Sequence, residues 1–423
     1  MSFSSEFRRS ESAVLFPVFP TFSRIQKAEL LLPGGTIFML SIVLGSMITI
    51  LAVWVNFSGI FVLPASLGAA ENEDIAAFYR AGQLAGLGQA AQSYIPEVFQ
   101  EPFSESNKNL LFLNPPHALL FMQPFASLTY PMAKVTYLVV SALALVGLAF
   151  CWAPKSALSA FVLLALSPGI FFTLDYLQLS PIVTFCLTYA LLNAGKRPVL
   201  SGLLLAFATI KPQYGLLVPV FLAARGYWKT ILVATIAALL LMLLSVVIYQ
   251  LSIWTAFVGS LVSGGHATQA GFLLDLMPTV HTMAGKLGAP DSVRLLTQVT
   301  AIFLSACLIW YVRDIGSREE RVGVTLLAAA FAAPSFMMYD WLHVSVALLL
   351  LATGRASWPL WFQLVAGLLW IAPYVAVFLV HIDPNATSWF TGFMPLLTGF
   401  VLFGAVWLLD RTGNVQTTPR PVQ

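Results

Sequence analysis

The chain has 423 residues, of which 59% are hydrophobic and 9% are charged, and its mean hydropathy is +0.85. Because soluble globular domains are far less apolar, this composition predicts an integral membrane protein without a separate soluble domain of ordinary size. The formal net charge of +3 is too small to indicate a nucleic-acid-binding protein, and the three cysteines have neither zinc-site nor disulfide-framework spacing.

Residues 1–35 are predicted to be a cytoplasmic segment. They contain four basic residues and lack the compact apolar core and cleavage site of a secretory signal peptide. Apolar runs then follow one another from residue 36 to residue 410, so we expect a single polytopic transmembrane domain over 36–410. Residues 411–423 are expected to form a cytoplasmic tail.

The run at 36–57 is long enough to cross a bilayer and would deliver residues 59–110 to the external side. That loop holds six of the chain's eighteen acidic residues and only two basic ones, which supports an external position. Later runs end near basic turns, and if these turns are cytoplasmic the chain has about twelve transmembrane helices. A competing count lets 110–128 cross and makes 198–224 one kinked span. Both counts place four stretches outside: 59–110, 251–291, 334–340 and 382–387.

Within the first loop, the stretch that follows Asn72 predicts a helix at the membrane interface. Asn72 or Asp74 would cap this helix. Gly86 or Gly88 would end it. Three apolar residues would face the membrane: Ile75, Phe78 and Tyr79. The acids at the helix start either cap it only or include a general base, because a helix N-terminus keeps a carboxylate ionised.

A single lysine, Lys211, lies in the middle of the apolar stretch 202–221 and is followed by Pro212. A buried, unpaired lysine at membrane depth is unfavourable, so it indicates a functional site, and a phosphate group is its natural partner. Pro212 would break the helix and free backbone groups that need polar partners. The alternative is that Lys211 extends to an interface because the two half-helices are short.

Three turns between apolar runs carry further polar residues. His117 follows two prolines, and Gln178 lies with Asp175 between two apolar runs. Asp340 and His343 lie at a predicted external turn, three residues apart on one helix face. The sequence contains no phosphate-binding glycine loop, zinc-protease motif or nucleophile elbow, which argues against ATP-driven transport and metalloprotease chemistry. We expect no metal and no cofactor.

Seven features follow one another over about residues 70 to 345: an acidic loop, FYRAG, NPP, LQLSP, IKPQYGLL, RGYWK and APSFMMYDW. Their order resembles glycosyltransferase family 87. The resemblance implies an all-α polytopic enzyme with the C-type glycosyltransferase fold and external interfacial helices. It implies transfer of a sugar, with mannose as the expected one, from a polyprenyl-phosphate donor to a hydroxyl of a glycolipid or glycan. The transfer would be inverting and take place on the periplasmic face of a bacterial inner membrane.

By this resemblance Asp74 is the candidate catalytic base, and the adjacent Glu73 is the alternative. The candidate substrate-binding residues are Tyr79, Arg80, His117, Gln178, Lys211, Tyr339, Asp340 and His343. The family pattern has glycine, glutamine and, two positions later, asparagine. This chain departs from it with Leu177, Gln178 and Ser180.

Two other functional classes remain open. A lipid or glycan transporter also needs many spans and a few buried charges. Transporters often show two related halves, however, whereas the acids here crowd into one early loop. A polymerase or ligase of lipid-linked glycans would be expected to use arginines and a larger late loop than 251–291.

Overall fold

The computed structural model describes residues 34–56, 63–70, 73–108, 110–153, 156–262, 277–353 and 358–416, and all regular structure in these ranges is helical. The α-helices are α1 (Thr36–Val55), α2 (Ile75–Gly86), α3 (Pro96–Phe99), α4 (Leu119–Ala126), α5 (Tyr130–Trp152), α6 (Ala157–Ala165), α7 (Pro168–Tyr176), α8 (Ser180–Asn193), α9 (Pro198–Ala208), α10 (Val218–Ala224), α11 (Trp228–Tyr249), α12 (Ser252–Val262), α13 (Val280–Lys286), α14 (Asp291–Tyr311), α15 (Arg318–Ala332), α16 (Leu342–Thr353), α17 (Leu360–Ile382) and α18 (Pro384–Gln416). Short 3-10 turns lie at Leu67–Ala69, Ala90–Tyr94, Glu105–Asn107, Pro116–Ala118, Pro212–Gly215, Val312–Asp314 and Met338–Asp340.

Six of the described helices are long and apolar enough to cross a membrane: α1, α5, α11, α14, α17 and α18. A seventh span arises if α6 and α7, which are bent by 61° at their junction, are taken together. The other apolar helices are shorter, and the 14 residues of α8 rise only about 21 Å against a hydrocarbon core of about 30 Å. The prediction of an all-α polytopic protein is confirmed, whereas the predicted total of about twelve spans is not.

The two predicted versions of the region between 110 and 224 differ in how it crosses. Its segment 110–128 contains the 3-10 turn Pro116–Ala118 and the eight-residue helix α4, which rises about 12 Å and is too short to span the bilayer even together with that turn. Helix α9 ends at Ala208, and a 3-10 turn separates it from α10. The predicted break at Pro212 is therefore present, with short helices on both sides.

The helices differ sharply in how much of their surface is covered by protein. Every residue of α16 from Leu342 to Ala352 is buried, as expected for an innermost helix that is apolar on all sides. By contrast, α11 has only three buried residues and exposes leucines along its length, so it lies at the lipid-facing periphery. The polar residues beside α16 are therefore held in the interior of the bundle.

The helix predicted in the first loop is α2, but its predicted membrane-facing side is wrong and Asp74 is not its cap. Ile75, Phe78 and Tyr79 do not face the membrane; they are buried, because α2 packs into the bundle against α4. Asp74 precedes the helix without capping it, since its side chain makes no capping hydrogen bond. Asn72, the other predicted cap, lies outside the described residues. The helix ends at Gly86, and Gly88 follows with φ +73°.

The second long external stretch, 251–291, is expected from the family resemblance to contain interfacial helices. Helices α12 and α13 lie there, although residues 263–276 are outside the described part of the chain. The predicted cytoplasmic segment 1–35 is described only at Gly34 and Gly35. Helix α18 extends to Gln416, into the predicted tail.

Candidate active site

Four polar side chains from separate parts of the chain form one hydrogen-bonded group, the central network: Asp74, Gln178, Lys211 and Asp340. Nε2 of Gln178 donates to Oδ2 of Asp74, and Nζ of Lys211 donates to Oε1 of Gln178 over 2.9 Å. The same ammonium donates to Oδ1 of Asp340 over 3.2 Å. Asp74 is half-buried while the other three are buried, so Asp74 is the most accessible member of the network.

A left-handed residue turns the chain so that Gln178 enters the network. Leu177 ends α7 with φ 52° and ψ 54°, a conformation that costs a non-glycine residue about 1–2 kcal/mol. It stands where the family pattern has glycine, and its fully buried side chain offsets the strain by packing in the core. The Tyr137 hydroxyl donates to the backbone oxygen of Gln178, and the Asp74 N–H donates to the oxygen of Tyr176 over 2.9 Å. Both ends of the Asp74–Gln178 contact are therefore anchored through backbone groups.

Asp340 is held on both of its carboxylate oxygens. The Ser180 hydroxyl donates to Oδ1 over 2.7 Å, and the backbone N–H of Met337 donates to Oδ2 over 3.1 Å. Ser180 stands where the family pattern has asparagine, and a serine hydroxyl supplies a donor there as an asparagine amide would. Asp340 is thus a fixed anion, positioned to hold the ammonium of Lys211.

Lys211 lies at the break between α9 and α10. Pro212, which lacks an N–H, begins a 3-10 turn directly after it. The ammonium of Lys211 lies 5.1 Å from the ring centroid of Tyr339 and 5.7 Å from that of Tyr214, within the range of cation–π attraction. Lys211 is therefore buried and paired inside the bundle.

The environment of Asp74 changes its acidity. Burial raises the pKa of its carboxyl from 3.8 to about 6, and the negative charge of Asp340 acts in the same direction. The hydrogen bond from Gln178 and the positive charge of Lys211 oppose this rise and lower the pKa. A carboxylate with a pKa near 6 is ionised at neutral pH and is a stronger base than an ordinary aspartate.

The neighbouring Glu73 belongs to a different cluster. Its Oε1 pairs with Nζ of Lys134 over 2.6 Å, and its Oε2 accepts from the Tyr130 hydroxyl over 2.6 Å. All three side chains are buried, and Lys134 is completely inaccessible. Because Lys134 and Tyr130 lie in α5, the ion pair fastens the start of α2 to a membrane-spanning helix. The two adjacent acids therefore have separate sets of partners.

The glycosyltransferase family 87 model matches residues 112–339, which is more than half of the chain. The chain belongs to glycosyltransferase family 87. No curated protein and no solved structure matches it. The matched range begins after Asp74, includes Gln178 and Lys211, and ends one residue before Asp340. With its apolar helices, this glycosyltransferase is an integral membrane enzyme that transfers a sugar from a donor to an acceptor.

The predicted substrate-binding residues of this glycosyltransferase do not all lie together. Tyr339 joins the central network through its ring. His343 lies beside the network, with its ring centroid 4.6 Å from that of Tyr214 and its Nδ1 2.7 Å from the Thr184 hydroxyl. His117 contacts Thr209, two residues before Lys211.

Two more predicted residues bind backbone carbonyls at the edge of α2. The Tyr79 hydroxyl donates to the oxygen of Leu128 over 2.8 Å, and Nη2 of Arg80 donates to the oxygen of Val98 over 3.1 Å. These contacts give both side chains a structural role. Their predicted contact with substrate stays a prediction.

The sequence reasoning missed Lys134, Tyr130, Tyr137 and Tyr214. For Lys134 a weaker signal was present, because it is the one charged residue of α5, although it lies near the start of that helix rather than in its middle. The tyrosines have no such signal, since an aromatic residue in an apolar helix is most often packing. Within the described ranges, no cluster of three His, Cys, Asp or Glu residues has the geometry to hold a metal ion.

Proposed function

We propose that this enzyme transfers mannose from a polyprenyl-phosphate donor to a hydroxyl of a glycolipid or glycan acceptor, with inversion at the anomeric carbon. The observation that supports it is the chain of contacts from Asp74 through Gln178 to Lys211. These contacts hold the Asp74 carboxylate and the Lys211 ammonium on either side of the Gln178 amide. Base-assisted attack on a carbon with an anionic leaving group is favoured by such a pair, since the carboxylate accepts the proton and the ammonium stabilises the leaving group.

In the proposed reaction, the acceptor hydroxyl gives its proton to the Asp74 carboxylate as its oxygen attacks the anomeric carbon. The bond from that carbon to the phosphate oxygen breaks, and its electron pair leaves with the polyprenyl phosphate. One displacement from the opposite face inverts the configuration. Lys211 stabilises the charge that develops on the leaving phosphate.

The hydrogen-bonding capacity of Lys211 agrees with this role. An ammonium has three donors, and within the described residues Gln178 and Asp340 take two of them. The third can bind a phosphate oxygen. The rings of Tyr339 and Tyr214 flank the ammonium and reduce its exposure to water, which strengthens an interaction with an anion.

Between the two adjacent acids, the contacts favour Asp74 as the base. Both carboxylate oxygens of Glu73 are engaged by Lys134 and Tyr130 in the buried interior. Asp74 is more accessible, and its raised pKa suits proton transfer near neutral pH. We therefore assign Glu73 a structural role.

The proposed location is a bacterial inner membrane, with the reaction on its periplasmic face. The acidic composition of residues 59–110 supports an external position for the loop that carries Asp74. The donor's isoprenoid tail would lie among the membrane helices. No cofactor is needed, because the donor already carries an activated sugar with a phosphate leaving group.

The test is sugar transfer by purified protein in lipid, with synthetic polyprenyl-phosphate mannose and a panel of glycolipid acceptors. Asp74→Asn should abolish transfer while the protein stays folded. Asp175→Asn is the matched control, because it removes a half-buried carboxyl close to the same site but outside the central network. It should keep most of the activity.

Two results would overturn the proposal in different ways. Full activity of Asp74→Asn would exclude it as the base and return Glu73 to consideration. No transfer by the wild type from any lipid-phosphate sugar, together with measurable movement of lipid or glycan across the bilayer, would instead identify a transporter.

A further inference from the structure

The break before Pro212 leaves backbone carbonyls without their usual helical partners, and one of them is satisfied by a side chain from a distant turn, residues 114–117. The carbonyl of Ala208 cannot accept from Pro212 and accepts instead from the N–H of Lys211 over 3.0 Å. The carbonyl of Ile210 accepts from Nδ2 of Asn114 over 2.8 Å. Asn114 is buried, so its amide supplies the polar partner that an unwound segment inside a bundle requires.

The same turn holds the side chain of Thr209. Nε2 of His117 lies 3.0 Å from the Thr209 hydroxyl oxygen, and this hydroxyl donates its hydrogen to the carbonyl of Ala206. Because a hydroxyl has one hydrogen, Nε2 must be the donor to Thr209. His117 therefore carries its proton on Nε2. Burial lowers its pKa to about 4, which agrees with a neutral ring.

Two other contacts keep the turn itself in place. The Tyr94 hydroxyl donates to the backbone oxygen of Asn114 over 2.7 Å. The ring of Trp254, in α12, is stacked on that of His117 with an interplanar angle of 15°. Pro115 and Pro116 restrict the backbone between Asn114 and His117. The turn is thus fastened to both of the predicted external stretches.

We propose that Asn114 and His117 are positioning residues that fix the unwound segment 209–210 and thereby aim the ammonium of Lys211 at the donor phosphate. This assignment rests on the proposed function of Lys211 as the phosphate ligand. It gives His117 a role that acts through Lys211 rather than through direct contact with the sugar. Loss of either side chain should weaken binding of the lipid phosphate specifically.

A double-mutant cycle tests this, because a positioning role disappears when the group that it positions is removed. The measured quantity is the Kd of a short-chain prenyl monophosphate for the full-length protein in lipid nanodiscs. His117→Leu or Asn114→Leu should weaken binding about tenfold when Lys211 is present. In the Lys211→Met background the same substitutions should change the Kd by less than about twofold.

Conservative variants separate positioning from damage to the fold. His117→Gln carries a donor near the place of Nε2 and should retain most of the affinity. Thr209→Ser keeps the acceptor and should behave like wild type, whereas Thr209→Val removes it and should behave like His117→Leu. The two Thr209 variants change the acceptor of the same hydrogen bond. They therefore test the proposal even if the His117→Leu protein does not fold.

Equal losses of affinity with and without Lys211 would overturn the positioning role, because they would show that His117 and Lys211 act independently. Equal affinity of Thr209→Val and Thr209→Ser would also overturn it. Failure of the wild type to bind prenyl phosphate or to transfer sugar would refute the proposed function itself. The two failures are therefore distinguishable.

Discussion

The amide of Gln178 donates to Asp74 through its nitrogen and accepts from Lys211 through its oxygen. The two neighbours determine its orientation, because the opposite orientation would bring the amide hydrogens against an ammonium and the oxygen against a carboxylate. Gln178 thus separates the proposed base from the proposed phosphate ligand and holds both. Replacing Gln178 is therefore the sharpest test of whether the amide is needed to hold the base Asp74 and the phosphate ligand Lys211.

Gln178→Leu is expected to lower kcat/KM by about 10- to 100-fold, since it leaves Asp74 without its hydrogen-bond donor and removes one acceptor from Lys211. Gln178→Glu should be equally impaired, because a second carboxylate would lie against Asp74. Steady-state kinetics with lipid-phosphate mannose would measure both. Wild-type kcat/KM in Gln178→Leu would mean that the amide is not needed to hold the base.

The pH dependence of kcat/KM should report the ionisation of Asp74. Its pKa of about 6 predicts that activity falls as the pH drops through 6, because the protonated carboxyl cannot accept the hydroxyl proton. Removing the negative charge of Asp340 lowers the pKa of Asp74, so Asp340→Asn should shift the acidic limb to lower pH in whatever activity remains. Asp175→Asn serves as the control, with an unchanged profile. A limb that stays at the same pH in Asp340→Asn would contradict the assignment of Asp74.

The buried ion pair between Glu73 and Lys134 should matter for stability more than for chemistry. Lys134→Met leaves a buried carboxylate without its partner and is expected to destabilise the protein by about 3–5 kcal/mol. The double variant Glu73→Gln with Lys134→Met should recover much of this loss, since no uncompensated charge is left. Thermal unfolding in detergent compares the three proteins. A double variant less stable than Lys134→Met would argue against the charge explanation.

Two glycines on α2 form a matched pair. A Cβ at Gly82 would lie 2.2 Å from the carbonyl oxygen of Met122, so Gly82→Ala must push α2 and α4 apart. At Gly86 the nearest atom to such a Cβ is 4.0 Å away, and Gly86→Ala should stabilise the helix by up to about 1 kcal/mol. Because Asp74 directly precedes α2, Gly82→Ala should also lower activity, whereas Gly86→Ala should not. Thermal unfolding and sugar transfer by the two variants provide the comparison, and equal behaviour would show that the close approach of α2 and α4 is not required.

The sequence determined the all-helical membrane class of the protein, its family and the helix break before Pro212. Long apolar runs require a membrane, Pro212 within the stretch 202–221 predicts a break in the helix, and Lys211 at that break requires a partner. These conclusions depend on local composition and on residue order, which are visible without a structure. The number of crossings was not determined, because short apolar helices such as α8 and α16 read like spans although they are shorter than the bilayer is thick.

Only the tertiary structure decided which partners the charged residues have. Glu73 and Asp74 are adjacent, but they point to different neighbours, and the lysine that binds Glu73 is 61 positions away. Gln178 and Lys211 are separated by 33 positions, and Lys211 and Asp340 by 129. Pairing over such distances depends on how whole helices pack and on the left-handed turn at Leu177. No local pattern encodes that packing, because it results from the burial of many apolar side chains at once.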